Sequence, residues 1–296
     1  MKTKKTVNTL ALIMLAAVFS WSAQPVNETY PVPEGGEIDV ENIAGSLTII
    51  GWDAAKVQIE GTLGDGVEGL DVEEYDDGIS IEVEYDEEYH GRQTTQTDLT
   101  IRVPSNSALS VETISSSIEV SGVRGAVSLE TVSGRIHVAD MPEALEVENV
   151  SGRISVDSAP HDSDLASVSG SIRVGTVRGE LDAENVSGSI LIEGGTLSGA
   201  DIETVSGEIT CKAIPGPNGD IDMETMSGAI TLFVDAGAVA YYEIATFSGA
   251  INNQIGPEPK KTSKFTPEKE LHFNTGPGGP SISLTTFSGT INLMTR

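Results

Sequence analysis

Six glutamates recur at one position of a repeated phrase, and their spacing is the first arrangement in this sequence that could do chemistry. They are Glu112, Glu130, Glu148, Glu184, Glu203 and Glu224. If successive copies stack as neighbouring β-strands, equivalent carboxylates lie about 5 Å apart and repel one another unless water, Lys or a cation lies between them. Such oxygen ligands would suit Ca²⁺. Because the chain has no Asp-x-Asp-Gly loop and no Gly-Gly-x-Gly-x-Asp nonapeptide, we expect a solvated acidic stripe and no cofactor, with Ca²⁺ binding as the alternative.

A serine follows three residues after each of these glutamates, but its surroundings do not favour nucleophilic catalysis. No His or Asp recurs at a fixed offset from the serines, as an activating base would have to. The four histidines, His90, His137, His161 and His272, show no metal-ligand spacing. We therefore expect no catalytic residue and no metal ligand, and we expect the serine hydroxyls to hydrogen-bond local backbone at each turn.

Two groups of basic residues are candidate partner-binding sites on a chain that is otherwise acidic. Arg135 and Arg153 occupy the same outward position in neighbouring copies, with Arg173 on the adjoining column, and could bind a carboxylated sugar or an acidic strip of a partner. The alternative is that they only offset nearby glutamates.

The second group lies in residues 254–281, the longest interval between two copies, where binding sites on regular scaffolds often reside. It comprises Lys260, Lys261, Lys264 and Phe265. The alternative is that this interval is a hairpin that caps the final copy.

The elements that must position these residues follow from the repeat itself. Copies such as LETVSGRIHV and VENVSGRISV return with their serines at 115, 133, 151, 169, 187, 206, 227, 248 and 288, so the step is 18 to 21 residues until a final step of 40. A fixed period of this size indicates one stacked structural unit per copy. We therefore predict an all-β fold, a β-solenoid that is a single-stack, parallel β-helix-like array with rungs of about 18–21 residues. Ten rungs would measure roughly 45–50 Å.

The apolar pattern within a copy predicts two short strands that meet at a bend. In residues 127–138 the expected inward positions are 127, 129, 132, 134, 136 and 138, so Glu130 and Thr131 both point outward. Gly134 then lies at or just beyond the bend, where only a hydrogen atom fits. The one cysteine, Cys211, takes the place of an inward Val, Ile or Leu and is expected to be a core residue.

The chain divides into three parts. Residues 1–22 have three lysines and then an apolar run, which predicts a signal peptide; a retained N-terminal anchor is the alternative. Residues 23–110 are expected to be an N-terminal β region with a degenerate first copy and an acidic insertion, and residues 111–296 the solenoid repeats with the long loop 254–281. We expect no membrane span in the mature chain and an extracytoplasmic location: periplasmic, secreted or cell-surface.

The net charge of the protein limits the classes of partner that it could bind. The formal net charge is −28, and removing Lys2, Lys4 and Lys5 with the signal peptide makes it −31. Such a surface repels nucleic acid. The expected partner is an unknown protein or glycan of the cell envelope.

The recurring [Thr/Asn]-Val-Ser-Gly-x-Ile phrases resemble those of the DUF4097 family of bacterial candidate adhesins. The resemblance covers roughly residues 35–296 and includes residues 281–293, SISLTTFSGTINL, as the closing copy. It implies a secreted or cell-envelope β-repeat protein and supplies no catalytic residues.

Three function classes therefore remain. The leading one is a non-catalytic surface or periplasmic scaffold with adhesin-like binding. The second is a polysaccharide-acting β-helix enzyme, which the low aromatic content disfavours, and the third is an envelope polymer that assembles through its end rungs.

Overall fold

The chain folds entirely as β-structure over the part that a computed structural model describes, residues 24–86 and 96–296. The strands are β1 Gln24–Pro31, β2 Glu37–Trp52, β3 Lys56–Leu63, β4 Val67–Glu74, β5 Gly78–Tyr85, β6 Thr97–Pro104, β7 Ala108–Ser121, β8 Val127–Val138, β9 Leu145–Ala159, β10 Asp162–Ser187, β11 Ile190–Ile192, β12 Gly195–Cys211, β13 Ile214–Val234, β14 Tyr241–Thr246, β15 Ala250–Asn253, β16 Lys260–Lys261, β17 Lys269–Asn274 and β18 Ser281–Thr295. The predicted signal peptide lies outside the described residues, which contain no helix long and apolar enough to cross a membrane.

The repeats stack in parallel as the period predicts. Val127 of β8 pairs with Leu145 of β9, and the same offset of 18 residues continues to Val138 and Val156. Strand β10 is long because it supplies both arms of one rung and the first arm of the next, pairing with β9 on one side and with β11 and β12 on the other. The predicted all-β solenoid of parallel rungs is therefore confirmed. Each rung has a first arm before the bend and a second arm after it.

The two ends of the stack are built differently from its middle. At the N-terminal end, β5 and β6 pair in parallel with the two arms of β2, and β4, β3 and then β1 follow as antiparallel strands. At the C-terminal end, the last copy of the repeat, β18, inserts between β13 and β14 and is not the closing rung. Counting β5 with β6 as one rung gives eleven rungs, a stack about 48 Å long.

The segment 254–281, which we expected to be one long loop, contains the strands β16 and β17. Strand β17 pairs antiparallel with the outer edge of β14 and so covers the last rung. Leu271 of β17 is buried, and the ring of Phe273 stacks on that of Tyr242 with centroids 4.8 Å apart. The segment therefore covers the last rung, as expected from the alternative that this interval is a capping hairpin.

One apolar core runs through the whole stack between the two arms. It extends without a break from Val32 to Leu293, and the expected boundary at residue 110 falls inside β7. Ile136 and Ile154 are fully buried in successive rungs. Cys211 is also fully buried, as predicted, and this burial raises the pKa of its thiol to about 12.

The predicted order of inward and outward residues is wrong at the bend. Thr131 is buried and Val132 is half exposed, so alternation continues through Glu130, Thr131 and Val132, and the slip falls at Val132 and Ser133. The physical reason is hydrogen bonding. In the next rungs, Asn149 Nδ2 donates to the Gly134 carbonyl at 3.1 Å, and Asn185 Nδ2 donates to that of Gly170 at 3.0 Å. A polar residue inside the bend can therefore hydrogen-bond a backbone carbonyl of the neighbouring rung.

The glycine of each Ser-Gly pair is required by the closeness of neighbouring rungs. A Cβ on Gly152 would lie 1.8 Å from the carbonyl oxygen of Gly134, and one on Gly170 would lie 1.8 Å from that of Gly152. Gly152 also has a positive φ of 144°. The expectation that only a hydrogen atom fits at this position is met.

Candidate functional site

Two ladders of side chains line a groove that runs along the stack, across the strands, beside the bends. One wall is the Glu ladder, formed by Glu112, Glu130, Glu148, Glu184, Glu203 and Glu224. The other wall is the apolar ladder, formed by Ile114, Val132, Val150, Val168, Val186, Val205, Met226 and Phe287. The groove crosses eight rungs, from β7 to β18, and has a volume of about 740 Å³. At about 4.8 Å per rung its length is about 34 Å.

The Glu ladder keeps its register across the stack. Glu112, Glu130 and Glu148 are direct partners in neighbouring strands, and so are Glu184, Glu203 and Glu224. Ala166 interrupts the ladder between Glu148 and Glu184, and Thr285 follows its last member. Glu41 of β2 pairs with Glu112 just beyond the groove.

Crowding changes the acidity of the ladder. Burial raises the pKa of Glu130, and the carboxylates of Glu112 and Glu148 raise it further. Burial also raises the pKa of Glu203 and Glu224, with further contributions from neighbouring Asp and Glu side chains. All three shifts have the same direction because burial and neighbouring carboxylates both disfavour the charged form, and a cationic partner would relieve this repulsion.

The outward face of most first arms is acidic. A second carboxylate column lies beside the Glu ladder, two residues earlier in five of the arms, and comprises Glu146, Asp164, Asp182, Asp201 and Asp222. The ten first arms, such as 144–150 and 180–186, contain no Lys and no Arg. The basic residues of the repeats lie on the second arms or between rungs, so charge is segregated between the two faces of the stack.

The apolar ladder was not predicted, because we expected its valines to face inward. Val132 is 49% exposed and Met226 is 61% exposed. Phe287 stacks on Phe247 of the last rung, with ring centroids 4.9 Å apart, which extends the ladder to the end of the stack. Eight adjacent half-exposed side chains make a continuous apolar strip, the kind of surface that marks interaction sites on monomers. A sequence signal could have revealed this ladder: if the strand alternation continues past each Glu, the apolar residue two positions later lies on the same outward face.

The buried polar column of Thr, Asn and Ser forms the floor of the groove. Thr113 Oγ1 donates to Thr131 Oγ1 at 2.8 Å, which links two rungs through their floor residues. Further along, the Thr204 and Thr225 hydroxyls are buried without a hydrogen-bond partner among the described residues. The serines of the repeat, by contrast, are exposed, and none of their hydroxyls donates to the backbone at its bend within the described ranges. The hydrogen bond to the bend backbone that we expected from these serines is made instead by the floor asparagines, Asn149 and Asn185.

The predicted arginine site is divided by the structure. Arg135 and Arg153 are exposed direct partners in β8 and β9 and form no ion pair with a described residue. Arg173 lies on the adjoining column but is bound to Glu193, with Nη2 and Oε2 2.5 Å apart, and His137 lies 3.3 Å from Asp157. These arginines are on the second arms, so they face away from the groove walls.

The predicted hairpin site lies at the C-terminal end of the stack. Lys260 and Lys261 form β16 and are exposed, Lys264 lies in the turn, and Phe265 is 96% exposed. Seven rungs lie between Arg135 in β8 and strand β17 of this hairpin, so the two are about 38 Å apart along the stack. The structure therefore does not bring the two predicted basic sites together.

Metal binding has no candidate site in the part of the chain that the structure describes, where no three His, Cys, Asp or Glu side chains are grouped as a metal site requires. The Ca²⁺ alternative remains a prediction without an assigned site.

Similar folds occur among crystal structures of bacterial proteins. A candidate adhesin from Bacteroides fragilis is 13% identical over 93% of this chain and 99% of its own, with a TM-score of 0.47. A candidate adhesin from Parabacteroides merdae is 11% identical over 91% of this chain and 96% of its own, with a TM-score of 0.45. A candidate lipid-binding protein from Parabacteroides distasonis is 15% identical, covers 91% and 96%, and has a TM-score of 0.43. No curated protein matches the chain.

The family match is more extensive than these pairwise likenesses. The family model described as Toastrack DUF4097 matches residues 36–294, which include every rung of the stack from β2 to β18 and the groove between the two ladders. The chain belongs to the Toastrack DUF4097 family.

Proposed function

We propose that this protein is a non-catalytic, adhesin-like binding protein of the cell envelope that holds a cationic partner in the groove between the Glu ladder and the apolar ladder. The observation that carries the proposal is that the apolar ladder runs over eight rungs beside a column that carries Glu in six of them, because this joins an apolar strip to a row of carboxylates. A partner with apolar and cationic groups would bury the strip and neutralise the carboxylates together. A groove lined by one sign of charge also attracts an oppositely charged partner over a distance.

Binding without turnover is supported by the regular register of the ladder. Acid-base catalysis by two carboxyl groups requires environments that push their pKa values apart. The three ladder residues whose pKa is shifted, Glu130, Glu203 and Glu224, are all shifted upward, by burial and by neighbouring carboxylates. A row of carboxylates in register is suited to many similar contacts along an extended partner. The envelope location rests on the predicted signal peptide.

The test is a binding assay with polymers of defined charge. Chain 23–296 is passed over immobilised poly-L-lysine and poly-L-glutamate, and we expect salt-sensitive binding to polylysine only. Because a highly acidic protein binds polylysine non-specifically, the decisive variant carries Val150→Ser, Val168→Ser and Val186→Ser, which removes the apolar wall without changing the charge. We expect this variant to bind at least fivefold more weakly than the wild type.

A control variant makes the assay specific to the groove. Met141→Ser with Ile214→Ser removes two apolar side chains of similar exposure that lie outside the groove, and should bind as the wild type does. Equal affinity of the wall variant and the control would overturn the proposal for the groove. Release of shorter chains from any polymer in this assay would overturn the non-catalytic part.

The hairpin is a second candidate contact, for an anionic partner, because a nearly fully exposed Phe265 stands beside three lysines. Phe265→Ser should lower binding to anionic vesicles or polyglutamate if the hairpin binds, and should leave polylysine binding unchanged.

A further inference from the structure

The groove runs at right angles to the strands that form it, and this restricts how a polypeptide could lie in it. Every rung between β7 and β18 is already hydrogen-bonded through its backbone to a rung on each side. A chain lying along the groove therefore finds no free strand edge and cannot bind by adding a strand. It must be held through side chains, in a conformation that does not depend on hydrogen bonds to a neighbouring strand.

The carboxylates of the Glu ladder are evenly spaced in one register only. Counting rungs from β7, the first, third, fifth and seventh carry Glu112, Glu148, Glu184 and Glu224. The second and sixth carry Glu130 and Glu203, whereas the fourth and eighth carry Ala166 and Thr285. A partner with one cation for every second rung thus finds four carboxylates in the first register and two in the other. The spacing in the complete register is about 9.6 Å.

This spacing matches one common polypeptide conformation and not the others. Polyproline II rises 3.1 Å per residue with three residues per turn, so every third side chain lies on one face about 9.3 Å from the last. Over the four carboxylates the accumulated mismatch is about 1 Å. In an α-helix, side chains on one face recur every 5.4 Å, whereas neighbouring rungs are 4.8 Å apart. Over the same six rung spacings, the mismatch between the helix and the ladder therefore grows to about 3.6 Å. In a β-strand, side chains on one face are about 6.7 Å apart, a distance that lies between one rung spacing and two, so the second side chain already falls between carboxylates.

We propose, on the basis of the groove function above, that the partner is a cationic polypeptide segment in the polyproline II conformation with Lys or Arg at every third residue. Its cations pair with Glu112, Glu148, Glu184 and Glu224, and its apolar residues lie on the valines opposite. About ten residues cover the four carboxylates at 3.1 Å per residue. The segment needs no internal hydrogen bonds, because a polyproline II backbone has none, and its limited flexibility lowers the entropy lost on binding.

Three peptides distinguish the spacing from simple charge. The first is a dodecapeptide of four Lys-Pro-Pro units. The second has the same composition in an order that places no more than two lysines on one face, and the third is an alanine-rich helix with four lysines along one side. Affinities are measured by fluorescence anisotropy with chain 23–296. We expect the first peptide to bind about tenfold more tightly than the second and the third.

Two matched variants test the register on the protein side. Glu148→Gln with Glu184→Gln removes two carboxylates from the complete register, and Glu130→Gln with Glu203→Gln removes two from the incomplete one. Both change the net charge equally and both act at exposed sites. Because an exposed ion pair contributes up to about a factor of five in affinity, we expect the first variant to weaken the Lys-Pro-Pro peptide about tenfold and the second threefold or less.

The outcomes separate this inference from the function on which it rests. If all three peptides bind equally, or if both variants lose affinity equally, the polyproline II register is overturned while groove binding stands. Tightest binding of the helical peptide also overturns it. If no peptide binds and polylysine binding does not depend on the valine wall, the groove function itself is overturned.

Discussion

Substitution of the bend glycines should reveal how closely the rungs are packed. A Cβ on Gly170 would lie 1.8 Å from the Gly152 carbonyl oxygen, 1.6 Å short of the 3.4 Å at which ordinary contact begins. The obstruction is backbone, so no side-chain rotation relieves it. To admit the methyl group, the rungs must separate locally by about a third of their 4.8 Å spacing, which breaks the hydrogen bonds between them at the bend. Each buried backbone group that loses its partner costs about 1–3 kcal/mol, so we expect Gly170→Ala to cost about 3 kcal/mol or more.

Three other glycines separate this contact from conformational strain. Gly237 has φ +81° and no neighbouring atom within 4 Å of the place that a Cβ would take, so Gly237→Ala reports strain alone, about 1–2 kcal/mol. Gly69 has neither a clash nor a positive φ, so Gly69→Ala should be neutral within about 0.5 kcal/mol or slightly stabilising. Gly152 combines a φ of +144° with a clash at 1.8 Å, so Gly152→Ala should be the most destabilising of the four.

The assay is urea unfolding followed by circular dichroism, with hydrogen exchange as a local measurement, because repeat arrays can lose rungs without unfolding entirely. In Gly170→Ala, amides of β9 and β10 should lose protection before those of β2. If Gly170→Ala is as stable as Gly69→Ala to within about 1 kcal/mol, the rungs are not packed as described.

Four further predictions follow from the parity, the charge, the hairpin and the N-terminus. Ile154→Asp should cost several kcal/mol because it buries an unpaired charge, whereas Val150→Asp should cost less than about 1 kcal/mol because this side chain faces the groove; equal melting temperatures would refute the bend assignment. The ladder glutamates whose pKa is raised destabilise the fold when they are ionised. Protonating them therefore stabilises the fold; this stabilisation is complete below the pKa that they have in the unfolded chain and is lost as pH rises through the pKa that they have in the folded state. Melting temperature should therefore rise on acidification from neutral to mildly acidic pH, and a variant with glutamine at these positions should show a flatter profile. Deleting residues 257–279 should lower the melting temperature by several degrees, since β17 covers the last rung; an unchanged melting temperature would show that the cap adds nothing. Exported protein should begin near Ala23, which N-terminal sequencing decides; an intact residue 1 in the membrane fraction would indicate that residues 1–22 are a retained anchor.

The stacking of the repeats could be predicted because the period is visible in identical residues. The offset of 18 between Val127 and Leu145 is the repeat length itself, and the shared column of Arg135 and Arg153 follows from it. The order of the last rungs could not be predicted in this way. Strand β18 carries the same phrase as the other copies, and nothing in that phrase specifies which neighbours a copy will have.

The groove was missed for a different physical reason. Assigning Val132 to the core and Thr131 to the surface follows hydrophobicity, which is a good guide where the backbone is fully paired. At the bend, Asn149 points inward and donates a hydrogen bond to the Gly134 carbonyl, so a polar side chain occupies the inner side. Valine is then left on the outer side, in line with the glutamates. Hydrophobicity therefore misassigns residues where the main chain turns, and that is where this molecule exposes its apolar ladder.

The insertion of β18 between β13 and β14 has a consequence for the order in which the chain folds. Residues 220 and 281 are partners across 61 positions, and residues 241 and 281 across 40, whereas the rungs from β7 to β13 join across 18 to 21. Closing the longest of these intervals costs about 1 kcal/mol more in chain entropy than closing a typical one. Strand β14 has no neighbour on its inner side until residues 281–295 are in place. The far end of the stack thus stays open until β18 pairs with β13, and a chain that lacks β18 would keep its earlier rungs but lose the attachment of β14 and the hairpin that covers it.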